Sequence, residues 1–159
     1  MFTRPEAERL LLRSALRDGE VFTQLVRGKV PGLQHSTSVP FSLEMLEADF
    51  VPFNLNSTAG QQVRQGIIVN DWGRPVGYRV YKYHPANMTR FSAELKTVSA
   101  ENMLHLAQRK RLHQLRGISL IHGVITRLSD IKDYEESERV AARIAAALGF
   151  YIKRGDAQS

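Results

Sequence analysis

The stretch that decides the fold of this chain reads Gly66-Ile67-Ile68-Val69-Asn70-Asp71-Trp72-Gly73-Arg74-Pro75-Val76-Gly77-Tyr78. Strand-forming residues fill 63–69 and 76–83, on either side of the polar segment 70–75. Asn and Asp start turns readily, and Gly73 accepts the positive φ that a tight turn needs. The stretch therefore predicts an antiparallel β-hairpin whose turn lies at 70–75.

A helix is predicted at the start of the chain. Thr3 and Glu6 have the three-residue spacing of a capping box, and Pro5 lies in the first turn, where its missing N–H costs nothing. Apolar and small side chains then recur on one helical face, and Gly19 provides a left-handed stop. We therefore expect the helix to end near Arg17.

Short strands and loops are predicted around the hairpin. Runs rich in β-branched and aromatic residues indicate strands at 20–26 and 43–51. Polar residues at 84–96 indicate a loop, and Ser99 starts a single capped turn that leads into an apolar strand at 103–107. The β region is therefore expected to be small, and mixed or antiparallel.

A long helix is predicted near the end of the sequence. Apolar residues keep near-helical spacing from Ser119 to about Leu148, which corresponds to roughly 45 Å at about 1.5 Å per residue. A small globule has little core against which to bury such a helix, so we expect it to pack against other subunits. The predicted fold class is α+β, with an N-terminal helix, a β region with a hairpin, and a long C-terminal helix.

The overall charge favours polyanionic partners. The chain has 22 Lys and Arg against 16 Asp and Glu, and the excess is central, with 10 basic and 3 acidic residues in 61–117. A small basic nucleic-acid-binding protein is therefore one interpretation. Cysteine is absent, which excludes disulfides and thiolate metal sites. The start lacks an apolar signal core and no run is long enough to span a bilayer, so we expect a cytosolic or virion protein without membrane contact.

One candidate contact site is a dense cationic cluster made of Arg109, Lys110, Arg111 and Arg116. Arginine suits bidentate contact with phosphate or carboxylate groups, so the cluster could bind DNA or a neighbouring subunit. No aromatic platform and no known DNA-reading motif accompanies it in the sequence, and we therefore favour ion pairs between subunits.

A second candidate site is acidic and lies within the predicted long helix. It consists of Asp130, Asp133, Glu135, Glu136 and Glu138. Charged helix faces are most often simply solvated. If the helix lined a DNA channel, however, these carboxylates would repel phosphate and keep DNA from adhering to the wall.

Patterns typical of enzymes are missing. His84, His105, His113 and His122 lack the spacing and the Cys or Glu partners of familiar metal motifs. No glycine-rich loop is followed by Lys-Ser or Lys-Thr, so ATP hydrolysis is not expected. Ser119 has the surroundings of a helix cap rather than of a nucleophile. A small hydrolase that uses His105 or His113 would rest on scattered histidines alone, and we expect no enzyme activity, metal or cofactor.

Several stretches together resemble the lambda-like family of tailed-bacteriophage portal proteins, and they occur in the same order. Three of them are the hairpin stretch quoted above, Ser99-Ala100-Glu101-Asn102-Met103-Leu104-His105-Leu106, and Gln114-Leu115-Arg116-Gly117-Ile118-Ser119. Asp18-Gly19-Glu20-Val21-Phe22 and the segment from Leu128 to the alanine-rich 141–147 are also similar to that family. The resemblance covers most of the chain.

This resemblance implies a structural role without hydrolysis. Members of the family form dodecameric rings at one capsid vertex, and double-stranded DNA passes through the ring without sequence-specific recognition. The implied partners are copies of the chain itself, the terminase motor, and capsid and tail-connector proteins. The implied location is the capsid vertex of the virion, and the bacterial host cytoplasm during assembly.

The resemblance also implies an internal part of a longer subunit. Residues 1–117 would be a wing-like α+β region, 118–150 a long stem-like helix facing the channel, and 151–159 a tail. The clip, tunnel loop and crown of the family would lie outside this chain.

Overall fold

The structure is a computed structural model that describes residues 2–35, 37–87 and 94–148. Its first element is helix α1 (Arg4–Asp18). The backbone N–H and the hydroxyl of Thr3 both donate to the Glu6 carboxylate, at 2.9 and 2.7 Å, so the predicted capping box is present. Gly19 ends the helix in the left-handed region with a φ of 87°. The predicted helix is thus confirmed, one residue longer than expected at its end.

Seven strands follow in the described part of the chain, and they form two antiparallel sheets. They are β1 (Glu20–Arg27), β2 (Phe41–Leu46), β3 (Val63–Arg64), β4 (Ile67–Val69), β5 (Pro75–Tyr81), β6 (Leu95–Ser99) and β7 (Met103–Ala107). The first sheet has the order β2-β1-β7 and the second the order β3-β4-β5-β6. The predicted α+β class is confirmed, and its β region is antiparallel in every pairing.

The first sheet has β1 at its centre. Phe22 lies opposite Leu46 on β2 and opposite His105 on β7. The predicted strand at 43–51 is wrong at its end, because the chain leaves the sheet after Leu46 and makes a 3₁₀ turn at Ala48–Phe50. This turn directs the buried Val51 into the core.

The second sheet contains the predicted hairpin, formed by β4 and β5. Within the predicted strand at 63–69, however, the chain reverses at Gln65 and Gly66, whose φ values are 51° and 79°. Two positive φ values are typical of a two-residue hairpin turn, so this run forms the separate strands β3 and β4. The predicted loop at 84–96 is wrong at its end, where β6 pairs with β5. Residues 88–93 of that loop lie outside the described residues.

The core contains side chains from both sheets. Phe22 of β1 and Tyr78 of β5 are buried and meet edge to face with ring centroids 5.8 Å apart. After β7, residues 116–118 pass close to the C-terminal end of α1. There the Ile118 N–H donates to the Gln108 carbonyl at 2.9 Å, and the Gln108 N–H donates to the Gly19 carbonyl at 2.7 Å.

The chain divides into two compact units, residues 1–121, here called the body, and residues 122–159, which contain helix α2 (Ile125–Ala147). The helix predicted from Ser119 begins later than expected, because a 3₁₀ turn occupies Leu120–Gly123. Glycine costs about 1 kcal/mol in a helix interior, and β-branched residues fill 124–126, so helical propensity is low there. At 23 residues α2 is roughly 35 Å long at about 1.5 Å per residue, and none of its residues is buried. The predicted tail at 151–159 lies outside the described residues.

Candidate assembly and DNA-contact surfaces

The loop after β7 presents most of the predicted cationic cluster. Arg109, Lys110 and Arg111 are all exposed. The loop is closed by the Gln114 side chain, which accepts from the Lys110 N–H at 3.0 Å and donates to the Arg116 carbonyl at 2.6 Å. These two hydrogen bonds of Gln114 fix the loop that carries the three exposed cationic side chains.

Arg116 lies apart from these three cations, inside the body. Its side chain is 4% exposed, and its guanidinium donates to Oε1 of Glu20 at 2.6 Å. It also donates to the carbonyl oxygens of Val51 at 3.0 Å and Gln65 at 2.7 Å. Buried arginine is rare unless it is paired in this way. The prediction that Arg116 contacts DNA or another subunit is corrected, because its donors are already used to join β1, Val51 and the β3–β4 turn.

Glu20 is the centre of this buried network. Its carboxylate accepts from Arg116, from the Gly117 N–H at 2.8 Å and from Nε2 of His105 at 3.0 Å. Burial raises the pKa of Glu20, but the His105 hydrogen bond, the Arg116 charge and the Gly117 N–H outweigh that effect and hold the pKa below its usual value. Glu20 is therefore an ionised group that stabilises the fold at neutral pH.

The His105 ring belongs to the same network. It is stacked on Phe22 with ring centroids 4.2 Å apart, and its side chain is almost fully buried. Arg109 can only donate, so its 3.4 Å contact with Nδ1 makes that nitrogen the acceptor and leaves Nε2 as the donor to Glu20. The environment of His105 is that of a core side chain, closed to a substrate. Within the described ranges, no three His, Asp or Glu side chains are grouped to hold a metal ion.

An exposed aromatic side chain lies beside the basic loop, which the sequence did not indicate. Trp72, the single tryptophan, is 94% exposed at the tip of the β4–β5 hairpin, and Leu112 is 100% exposed. Both line a cleft of about 230 Å³ together with Arg64, Arg74 and Arg109, and no acidic residue lines it in the described part of the chain. Trp72 and Arg109 are far apart in the sequence, so no local spacing could reveal this combination.

The predicted acidic site lies on α2, and all five of its members are exposed: Asp130, Asp133, Glu135, Glu136 and Glu138. Asp130, Asp133 and Glu136 recur every three residues and form one row along the helix, while Glu135 and Glu138 form another. The two rows spread negative charge over much of the helix circumference. Among the helices that the structure describes, none has the length and apolar character needed to cross a bilayer.

All 159 residues match one family model, described as phage portal protein, lambda family. The chain belongs to the lambda family of phage portal proteins. It is also 28% identical, over 147 residues, to a probable portal protein of Halomonas phage phiHAP-1. The match covers 89% of this chain and 27% of that relative, so the chain spans about a quarter of the length of the curated portal protein that it matches.

The geometry described above is consistent with membership in the portal family. Portal proteins are structural, and the buried histidine, the stabilising carboxylate and the exposed helix described above are all consistent with a structural subunit. No observation favours the alternative of a small basic nucleic-acid-binding protein. The predicted family is confirmed, while the structural role and the predicted contact residues on the loop and on α2 stay predictions.

Proposed function

We propose that this chain forms the wing-like and stem-like parts of a portal subunit, in a ring through which double-stranded DNA enters and leaves the phage head. The observation that carries the proposal is the match of the whole chain to the lambda portal family. In this assignment residues 1–117 belong to the wing, 118–150 to the stem and 151–159 to a tail. The ring stands at the capsid vertex that joins head to tail, after assembly in the host cytoplasm.

Helix α2 supports the stem assignment. A surface helix normally buries one apolar face, yet α2 leaves Leu128, Ile131 and Ile144 exposed. Exposed apolar side chains at this density indicate an interaction surface. In a ring, copies of the chain would cover them, and this burial would stabilise the helix.

The carboxylates of Glu135, Glu136 and Glu138 on α2 are proposed to face the DNA channel. A duplex carries one negative charge for about every 1.7 Å of its axis, so a wall of carboxylates repels it and allows it to slide. Replacing Glu135, Glu136 and Glu138 by Lys is expected to slow DNA passage and to make it more salt-dependent. The exposed Glu101 provides the control, since Glu101→Lys adds positive charge to a residue that is not part of the helix.

The basic loop at 109–111 is proposed to form ion pairs with a neighbouring copy. The cleft beside it supports this role, because Trp72 and Arg109 are of the residue types that dominate protein interfaces. DNA phosphates would make no use of the exposed Leu112. The terminase motor and the capsid and tail-connector proteins are proposed as further partners of the assembled ring.

Electron microscopy of the purified full gene product tests the proposed function. We expect closed rings with a central channel, and native mass spectrometry is expected to give a dodecamer. Rings that fail to form at any salt concentration, with only monomers in solution, would contradict the portal assignment. A mass of another subunit number would correct the stoichiometry alone.

A further inference from the structure

An apolar groove lies on the outer side of α1 and is not explained by the fold. The groove, here called the α1 groove, is lined by Leu12, Leu16, Leu120 and Ile121 and has a volume of about 670 Å³. Its four apolar side chains are all exposed. The face of α1 that packs on the body carries Ala15 instead, so Leu12 and Leu16 form a second apolar strip that points outward.

Arginines form the rim of the α1 groove. Arg9, Arg13 and Arg17 line it, spaced every four residues, and no acidic residue occurs between 9 and 17. Arg17 pairs with Asp18, whereas neither Arg9 nor Arg13 has an ion pair or a side-chain hydrogen bond within the described residues. An apolar strip flanked by unpaired cations is suited to a helix that carries an apolar row flanked by carboxylates.

Helix α2 carries that complementary pattern. Its exposed apolar side chains include Leu128, Ile131 and Tyr134, which follow one another at steps of three residues. Within 130–138 five acidic residues stand against one lysine, which gives a charge of −4 (1 − 5). On α1 the net charge of residues 9–17 is +3, because this segment contains three arginines and no acidic residue. Side chains three or four residues apart on a helix are about 5–6 Å apart, so the two charged rows have similar spacing.

We propose that the α1 groove of one copy receives α2 of a neighbouring copy. This inference rests on the proposed function, in which copies of the chain stand side by side. Such a contact uses two different surfaces on each copy, and contacts of that kind form a ring when the rotation between neighbouring copies closes, and an open filament when it does not. DNA is a poor occupant of the groove, since exposed leucines offer nothing to phosphate.

The order of the residues also determines a helix direction. Arg13 and Arg17 follow the groove leucines by one residue, whereas Asp130 and Asp133 precede Ile131 and Tyr134 by one. One residue corresponds to about 100° around an α-helix. The arginine row and the aspartate row therefore meet on the same side of the contact when the two helices run parallel.

Disulfide trapping tests the contact directly, because the chain contains no cysteine of its own. Leu16→Cys protein is mixed with Ile131→Cys protein under oxidising conditions, and the covalent dimer is measured on a denaturing gel. We expect about tenfold more dimer than in a control mixture of Leu43→Cys with Ile131→Cys, because contact raises the effective concentration of the two thiols. Leu43 is also exposed but lies outside the groove.

A charge exchange then tests the polar rows. Replacing Arg9 and Arg13 by Glu is expected to lower the yield of trapped dimer about tenfold, since attraction becomes repulsion across the contact. Changing Asp130 and Asp133 to Arg in the partner copy is expected to restore the yield. An unchanged yield in the first exchange, or no recovery in the second, would refute the proposed pairing of the rows.

The outcomes separate this inference from the portal assignment. Rings that form without the disulfide between positions 16 and 131 would overturn the groove contact and leave the proposed function standing. If the disulfide forms but no rings are seen, the groove contact stands and the proposed ring is refuted. If a chain that carries both Leu16→Cys and Ile131→Cys forms the disulfide only within one molecule, or if no mixture forms it, the contact between copies is refuted.

Discussion

Arg116 and Glu20 are 96 positions apart in the chain, yet Nε of Arg116 is 2.6 Å from Oε1 of Glu20 in the interior of the body. The guanidinium lies between the Phe22 and Phe53 rings, 5.6 and 5.3 Å from their centroids. It also donates to backbone carbonyls at Val51 and Gln65. The buried arginine, paired with Glu20 of β1, thus ties the first sheet to the β3–β4 turn of the second.

Removal of the arginine is expected to destabilise the fold strongly. In Arg116→Met the Glu20 carboxylate would stay buried without its main countercharge, and the free energy of unfolding should fall by about 3–5 kcal/mol. Urea unfolding followed by circular dichroism measures the loss. Arg111→Met is the matched control, because Arg111 is exposed, and it should change stability by no more than about 0.5 kcal/mol. Equal losses in the two variants would contradict the role of the ion pair.

The Glu20 carboxylate should also make stability depend on pH in the acid range. Because its pKa in the folded state lies below the usual value, its contribution is fully present above that usual value and is lost as pH falls through the folded value. Glu20→Gln should therefore be less stable at neutral pH and lose less further stability on acidification. Thermal unfolding between neutral and strongly acidic pH provides the measurement.

Glu101→Gln is the comparison for this acid series, since Glu101 is exposed. Its unfolding curve should follow that of the unchanged chain at every pH. A Glu20→Gln variant that keeps the full acid sensitivity of the unchanged chain would show that other carboxyl groups carry the effect.

Gly117 is expected to tolerate no side chain. A Cβ at this position would overlap the carbonyl oxygen and lie 2.6 Å from the carbonyl carbon of Gly19, the residue that ends α1 with a φ of 87°. Because both of these are backbone atoms, Gly117→Ala should force the backbone to shift and should cost at least about 2 kcal/mol of stability. The measurement is the denaturation midpoint.

Gly123→Ala provides the matched control for this substitution. No atom lies within 4 Å of a Cβ built at Gly123, and alanine is the better helix former by about 1 kcal/mol. The control variant should be as stable as the unchanged chain or slightly more stable. A Gly117→Ala protein with the same midpoint as Gly123→Ala would disprove the close approach of the two backbones.

The basic loop should influence assembly without influencing folding. Lys110→Ala combined with Arg111→Ala is expected to weaken association of the copies, most clearly at low salt, where exposed charges are least screened. Its free energy of unfolding should change by less than about 1 kcal/mol. Sedimentation over a series of salt concentrations measures association. A double change of Arg27 and Lys29 to Ala removes the same charge from another exposed place and should leave association unaltered.

Much of the local structure could be predicted because its causes lie within a few residues. The capping box at Thr3, the left-handed Gly19 and the β4–β5 hairpin each depend on neighbours along the chain, and each was confirmed. The wrong boundaries arise where nonlocal pairing competes with propensity. Strand β6 exists because β5 offers a partner to a segment whose composition resembles a loop.

The candidate sites also divide into features that the sequence determines and features that depend on tertiary structure. The sequence by itself determined the charge of the loop at 109–111, the acidic rows of α2 and the resemblance to portal proteins, since these depend on residue types and their order. Only the tertiary structure decided that Arg116 is buried while Arg111 is exposed, and that Trp72 lies beside Arg109. The physical reason is that a charged side chain is buried only where distant partners satisfy it. Glu20, Val51 and Gln65 come from separate parts of the chain, and folding alone brings them to one guanidinium.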